Sequence, residues 1–233
     1  MFDFLGRPVF ALAYYLFTFF AIEAALVIAL GQWRRSASFR AYRLTLAFGS
    51  LTFLRVLLVI LIAIGTNSSQ IANVWVPPFE RFVAISSLGI LIWAFTPYFR
   101  ENELVGNVIV VLNTVFALIF YFLAVFFWSG NNFNQSSWEI FFVIFWQMPL
   151  ALFGIVNCGM KLDDERTMAL FGFLSLFIGY LLHIFLASNY VQPHDPVLVR
   201  IAEMAAYPFF AAAVYQGAIY SLSVRSKSLA RLA

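Results

Sequence analysis

Seven apolar runs of membrane-crossing length, joined by short polar segments, constrain this chain more than any other feature. A hydrocarbon core about 30 Å thick needs roughly 20 residues of helix. Runs of that size fit without overlap at approximately 9–31, 42–65, 78–97, 104–128, 138–158, 167–188 and 197–222. The joints carry turn formers: Gly65-Thr66-Asn67-Ser68-Ser69, Ser129-Gly130-Asn131-Asn132 and Gln192-Pro193-His194-Asp195-Pro196. Hydrophobic residues make up 63% of the chain and charged ones 11%, against roughly 45–50% and about 25% in a soluble domain, so most helix faces must meet lipid or one another. The expected fold is therefore all-α: a polytopic membrane protein built as a seven-transmembrane-helix bundle over residues 1–222, with a basic tail at 223–233 and no soluble domain.

The first run has no basic leader or small-residue cleavage site, so it reads as a retained span. Basic residues then set the direction. Arg34, Arg35, Arg40, Arg43, Arg100, Lys161, Arg166, Arg225, Lys227 and Arg231 fall on one side of the layout, ten of the chain's fourteen. The positive-inside rule places that side in the cytoplasm, which puts the N-terminus outside. The same loop placement explains the net charge of +3 without nucleic acid as a partner. The tail contains no Pro or Gly after the last run and spaces Leu222 and Leu229 by one heptad. It reads either as a helix continuing into the cytoplasm or as a basic anchor at the headgroups.

Ionisable side chains inside spans cost at least ~2.5–3.5 kcal/mol at mid-depth, so each needs a partner or a purpose. Arg55 in the second run and Glu23 in the first are expected to form an intramembrane ion pair that fixes two neighbouring helices. Nearer the outer face, Glu80 and Arg81 open the third run, Arg200 and Glu203 open the seventh, and His183 lies near the outer end of the sixth. With Trp75, Trp93, Trp146, Gln147 and Tyr207, and with Pro149 and Pro208 freeing backbone carbonyls, these residues either line an outward-facing pocket or form an interhelical network of paired charges. The candidate ligand-binding set is Glu80, Arg81, Trp146, Gln147, His183, Arg200, Glu203 and Tyr207. Asn113, Asn157 and Gln216 read as interhelical packing amides.

No catalytic residue is expected, and the chain is not read as an enzyme. A retinal Schiff base would need a lysine in the last span, whereas the lysines are Lys161 and Lys227. His183 and His194 stand eleven residues apart and form no metalloprotease motif. Cys158 is the single cysteine, so neither a disulfide nor a thiolate metal site is expected, and no cofactor is assigned. Ser86 or Ser87 with His183 lacks the turn that a serine nucleophile uses. The acidic stretch Asp163-Asp164-Glu165-Arg166 reads as a helix N-terminal cap.

An extracellular start, Pro77-Pro78-Phe79-Glu80-Arg81-Phe82 opening the third span, Arg200-Ile201-Ala202-Glu203 opening the seventh with Tyr207-Pro208 inside it, and a basic tail together resemble the N-terminal seven-helix sensor region of bacterial histidine kinases. The resemblance covers nearly the whole chain. It implies a sensory input domain in the bacterial inner membrane, with a small-molecule ligand, a homodimer and a kinase module beyond the tail, although no phosphoacceptor histidine or ATP-binding segment lies within these residues. The competing expectations are a small transporter or permease, in which the buried charges form a substrate route, and a structural subunit of a larger membrane complex.

Overall fold

The computed structural model describes residues 8–68, 70–127, 141–160, 162–189 and 197–230, and all regular structure among them is helical. The α-helices are α1 Pro8–Ser36, α2 Phe39–Gly65, α3 Val76–Phe95, α4 Pro97–Glu101, α5 Glu103–Phe127, α6 Met148–Gly159, α7 Asp164–Asn189 and α8 Val197–Ala230. Among the described residues six segments are long and apolar enough to cross a membrane: Leu12–Ser36, Phe39–Gly65, Asn73–Phe95, Glu103–Phe127, Asp164–Phe185 and Val197–Tyr220. The chain is thus a polytopic helical membrane protein. A shorter apolar helix, Val143–Gly159, lies where the fifth run was expected. Arg7, Lys161, His194 and the polar joints at 129–132 and 192–196 lie outside the described residues.

Two boundaries differ from the sequence reading, both because of proline. The third run does not open at Pro78: a π-helical turn, Ile71–Trp75, leads directly into α3, with Pro77 and Pro78 in its first turn. A second π turn, Val143–Gln147, stands in the same relation to Pro149. Proline has no N–H to donate and its ring crowds the preceding turn, and a wider register ahead of it accommodates both. At the other end of α3, Thr96 is extended before Pro97 (φ −77°, ψ 132°), and the short α4 occupies what reads in sequence as a plain loop.

The helices close into a ring in the order α1, α2, α3, α6, α7, α8 and back to α1, and α5 packs against α3 from outside. α3 is the enclosed member, with 83% of its span buried, whereas α5 is 22% buried and touches the bundle mainly through Gly106, Asn113, Ala117, Tyr121 and Ala124. That spacing of three, four and seven residues is one helical stripe, and the rest of α5 offers Val, Ile, Leu and Phe outward. In lipid, which is as apolar as leucine, association rests on close packing. α7 and α8 show it most clearly: a β-carbon at Gly179 would lie 2.1 Å from that of Ala202, so the two backbones meet where only glycine fits.

α1, α3 and α8 begin at one face of the bundle, here the first face, and α2 and α7 begin at the opposite, second face. Between the faces runs an aromatic layer from α2 through α3 and α8 to α7. Ring centroids lie 6.2 Å apart for Phe48 and Phe95, 5.5 Å for Phe95 and Phe210, and 5.0 Å for Phe173 and Phe210. Polar side chains gather on both sides of this layer.

Candidate functional site

The densest polar cluster lies on the first-face side of the aromatic layer, and α8 supplies its spine. Arg200, Glu203 and Tyr207 are spaced by three and four residues, so a regular helix carries all three on one stripe. That stripe faces α1, α2 and α3. On α1 the buried positions Tyr14, Thr18, Ile22, Ala25 and Ala29 form the matching stripe.

Arg55 of α2 is the hub. Its Nη2 is 2.6 Å from Glu203 Oε2 and donates to the Tyr207 hydroxyl at 2.9 Å, while Nη1 donates to the Tyr14 hydroxyl at 2.8 Å. Tyr14 in turn donates to Glu203 Oε2 at 2.5 Å, closing a ring of three hydrogen-bonded groups from three helices. The guanidinium also sits 5.3 Å from the Tyr207 ring centroid and 5.7 Å from that of Tyr14, within cation–π range of both. Arg55 is 3% exposed and Glu203 4%. A buried charge pair is tolerable when its remaining donors and acceptors are occupied, and the two tyrosines largely do that here.

A second pair lies beside the first. Arg200 holds Glu80 of α3 in a two-point contact, Nε to Oε1 at 3.0 Å and Nη2 to Oε2 at 3.1 Å. Tyr15 donates to Glu80 Oε1 at 3.5 Å, and the Arg200 guanidinium lies 5.9 Å from the Tyr14 ring. Adjacent tyrosines on α1 therefore serve adjacent ion pairs. Two-point guanidinium–carboxylate contacts fix orientation as well as distance, so α8 is keyed to α3 in rotation.

The expected pair of Glu23 with Arg55 is not formed. Glu23 is partly buried and lies off the buried stripe of α1, one position past Ile22. Tyr14 occupies the place on α1 that Arg55 reaches, nine residues earlier. Of the eight candidate ligand residues, Glu80, Arg200, Glu203 and Tyr207 are brought into one cluster. Arg81 and His183 are buried, each 3% exposed, on α3 and α7. Trp146 and Gln147 belong elsewhere: Trp146 Nε1 donates to Asn113 Oδ1 at 2.9 Å, and Asn113 Nδ2 donates to the Ile85 carbonyl at 3.2 Å, tying the second π turn to α5 and α3. Gln147 is fully buried, and neither of its amide atoms has a hydrogen-bond partner among the described residues.

Trp93 is also displaced from the outer group. It lies near the second-face end of α3, where its ring stands 4.6 Å from the Arg43 guanidinium and its Nε1 donates to Asn107 at 2.9 Å. Trp75 packs edge-on against Tyr121 and Phe126 of α5. Asn157 bonds its own helix, to the Phe153 carbonyl at 2.9 Å, and among the described residues joins no neighbouring helix. Tyr14 and Tyr15 were missed by the sequence reading, although two consecutive tyrosines near the start of an apolar run were the available signal.

Among the described residues no group of three or more His, Cys, Asp or Glu side chains could hold a metal ion. The cluster's resources are buried charge, hydroxyls and a spread over four helices. No protein-family model, curated protein or solved structure matches the chain.

Proposed function

We propose that the chain is a membrane-embedded sensory input unit of the bacterial inner membrane, of the kind found at the head of histidine kinases. In this reading seven segments cross the membrane, the N-terminus is outside and the C-terminal tail enters the cytoplasm. One observation carries it. The helix that holds Arg200, Glu203 and Tyr207 in the buried cluster runs without a break to Ala230, ten residues past the end of its apolar span at Tyr220. At 34 residues α8 is about 50 Å long, against a hydrocarbon core of about 30 Å. A continuous helix with its polar stripe in the cluster and its end outside the bilayer suits the relay of a rearrangement to an attached module.

A stimulus would act by favouring one arrangement of the cluster over another, since only a ligand or membrane state that binds two arrangements differently can shift their populations. Arg55, Glu203, Tyr14 and Tyr207 are joined through side-chain atoms alone. Exchanging those partners would therefore move α8 without breaking any helix.

The test joins the chain through Ala233 to a cytoplasmic kinase module and measures its autophosphorylation in membranes. Glu203→Gln, which keeps the shape and removes the charge, is expected to lock the output high or low. Unchanged, fully regulated output in that variant would contradict the reading. Solute flux through the wild-type chain in sealed liposomes would move the transport reading ahead of it.

A further inference from the structure

On the second-face side of the aromatic layer, α8 is gripped again, about 21 Å along its axis from Glu203. The grip centres on Gly217. Gln32 of α1 is buried and its Nε2 lies 3.5 Å from the Gly217 carbonyl oxygen, a long hydrogen bond. From the other side, Arg40 in the first turn of α2 forms an ion pair with Glu165 in the first turn of α7. That pair rests on the glycine: a β-carbon at Gly217 would lie 2.5 Å from Arg40 Nη2 and 3.3 Å from Glu165 Oε2. Three helices thus meet the fourth at a residue with no side chain.

Glu165 is only 6% exposed. It is not the residue that caps α7, because Asp163 does that, accepting from the Arg166 backbone N–H at 2.8 Å. Burying a carboxylate that the helix does not need as a cap gives it a separate task. Its partner Arg40 keeps a 30% exposed side chain, so the guanidinium can turn to water when the pair parts, at the cost of leaving the buried Glu165 carboxylate without it.

We infer that Arg40, Glu165 and Gln32 form a collar on Gly217 that latches α8 in one rotational setting, and that a change of setting requires the Arg40–Glu165 pair to part. The collar and the Arg55 cluster hold the same rod at two levels, with the aromatic layer between them. A change at the cluster reaches the segment beyond Tyr220 only when it is large enough to part the Arg40–Glu165 pair. Its role in relay rests on the reading of α8 as the output helix, but the setting of α8 can be measured without any output.

The experiment uses the full chain in lipid nanodiscs, with Cys158→Ala, Leu162→Cys and Ser226→Cys, and spin labels on the two introduced cysteines. Leu162 is 62% exposed and stands just before α7, a fixed reference for the end of α8. Glu165→Gln is expected to shift the interspin distance or add a second population. The charge-swapped Arg40→Glu/Glu165→Arg protein is expected to restore the parent distribution, and Gly217→Ala to shift it by displacing the guanidinium. If Glu165→Gln does not fold, Gln32→Leu, which removes the uncharged member of the collar, carries the same expectation. A parent-like distribution in both the folded collar variant and Gly217→Ala would overturn the latch, leaving a static contact. That result would not touch the sensory reading, which is decided by kinase output.

Discussion

α2 carries two buried arginines twelve residues apart, and they are held in opposite ways. Arg43, near the second face, donates from Nη1 to the Phe99 carbonyl at 2.8 Å and from Nη2 to the Trp93 carbonyl, with its charge over the Trp93 ring. Its hydrogen-bond partners are backbone carbonyls at the end of α3 and in the short α4, groups close to helix termini that lack intrahelical donors. Arg55 has only side-chain partners, on α1 and α8. Backbone acceptors cannot move away unless the helix end rearranges, whereas carboxylates and hydroxyls can change rotamer. The same residue type thus serves as a fixed bolt at one level and as an exchangeable joint at the other.

The comparison breaks most visibly at Arg55. Arg55→Leu leaves Glu203 charged and buried, and the bundle is expected to lose roughly 3–5 kcal/mol of stability, read from unfolding in bicelles. Arg55→Leu with Glu203→Leu should recover most of that loss, because a buried pair replaced by apolar groups of similar volume is often neutral. Failure of the double variant to recover would mean that the tyrosines, and not the ion pair, dominate the joint.

Arg43→Leu strands the Phe99 and Trp93 carbonyls and should cost about 1–3 kcal/mol in the same assay. The far end of α8 should keep its position, since Arg43 contacts only α3 and α4-side backbone in the bonds it makes. Tyr207→Phe removes one donor–acceptor contact of Arg55 while keeping the ring, and is expected to cost roughly 0.5–1.5 kcal/mol. A larger loss than for Arg43→Leu would reverse the ranking of the two sites.

The membrane-crossing character of the chain was legible because hydropathy over some 20 residues is a local property. The α8 stripe left a signal as well, the helical spacing of Arg200, Glu203 and Tyr207, but the sequence analysis grouped these residues by depth and assigned them no common face. The partner of Arg55 was not legible. Sequence adjacency suggested α1 and Glu23, but α1 packs as extensively on α8 as on α2, and the acidic partner comes from the helix that closes the ring. Which helices meet across a bundle is a long-range fact that no periodicity records. Glu165 was obscured for a different reason: an acidic run at a helix start has a sufficient local explanation in capping, and Asp163 alone satisfies it. The π turns left a trace in Pro77, Pro78 and Pro149, yet proline announces a disturbed register without saying which register replaces it.

The most direct test of the contrast between joint and bolt compares Glu203→Gln and Arg43→Leu by the interspin distance between Leu162→Cys and Ser226→Cys, in the Cys158→Ala background, in nanodiscs. The account predicts a shifted or two-population distance for Glu203→Gln and the parent distance for Arg43→Leu. A parent distance in Glu203→Gln, or an equal shift in both variants, would contradict it.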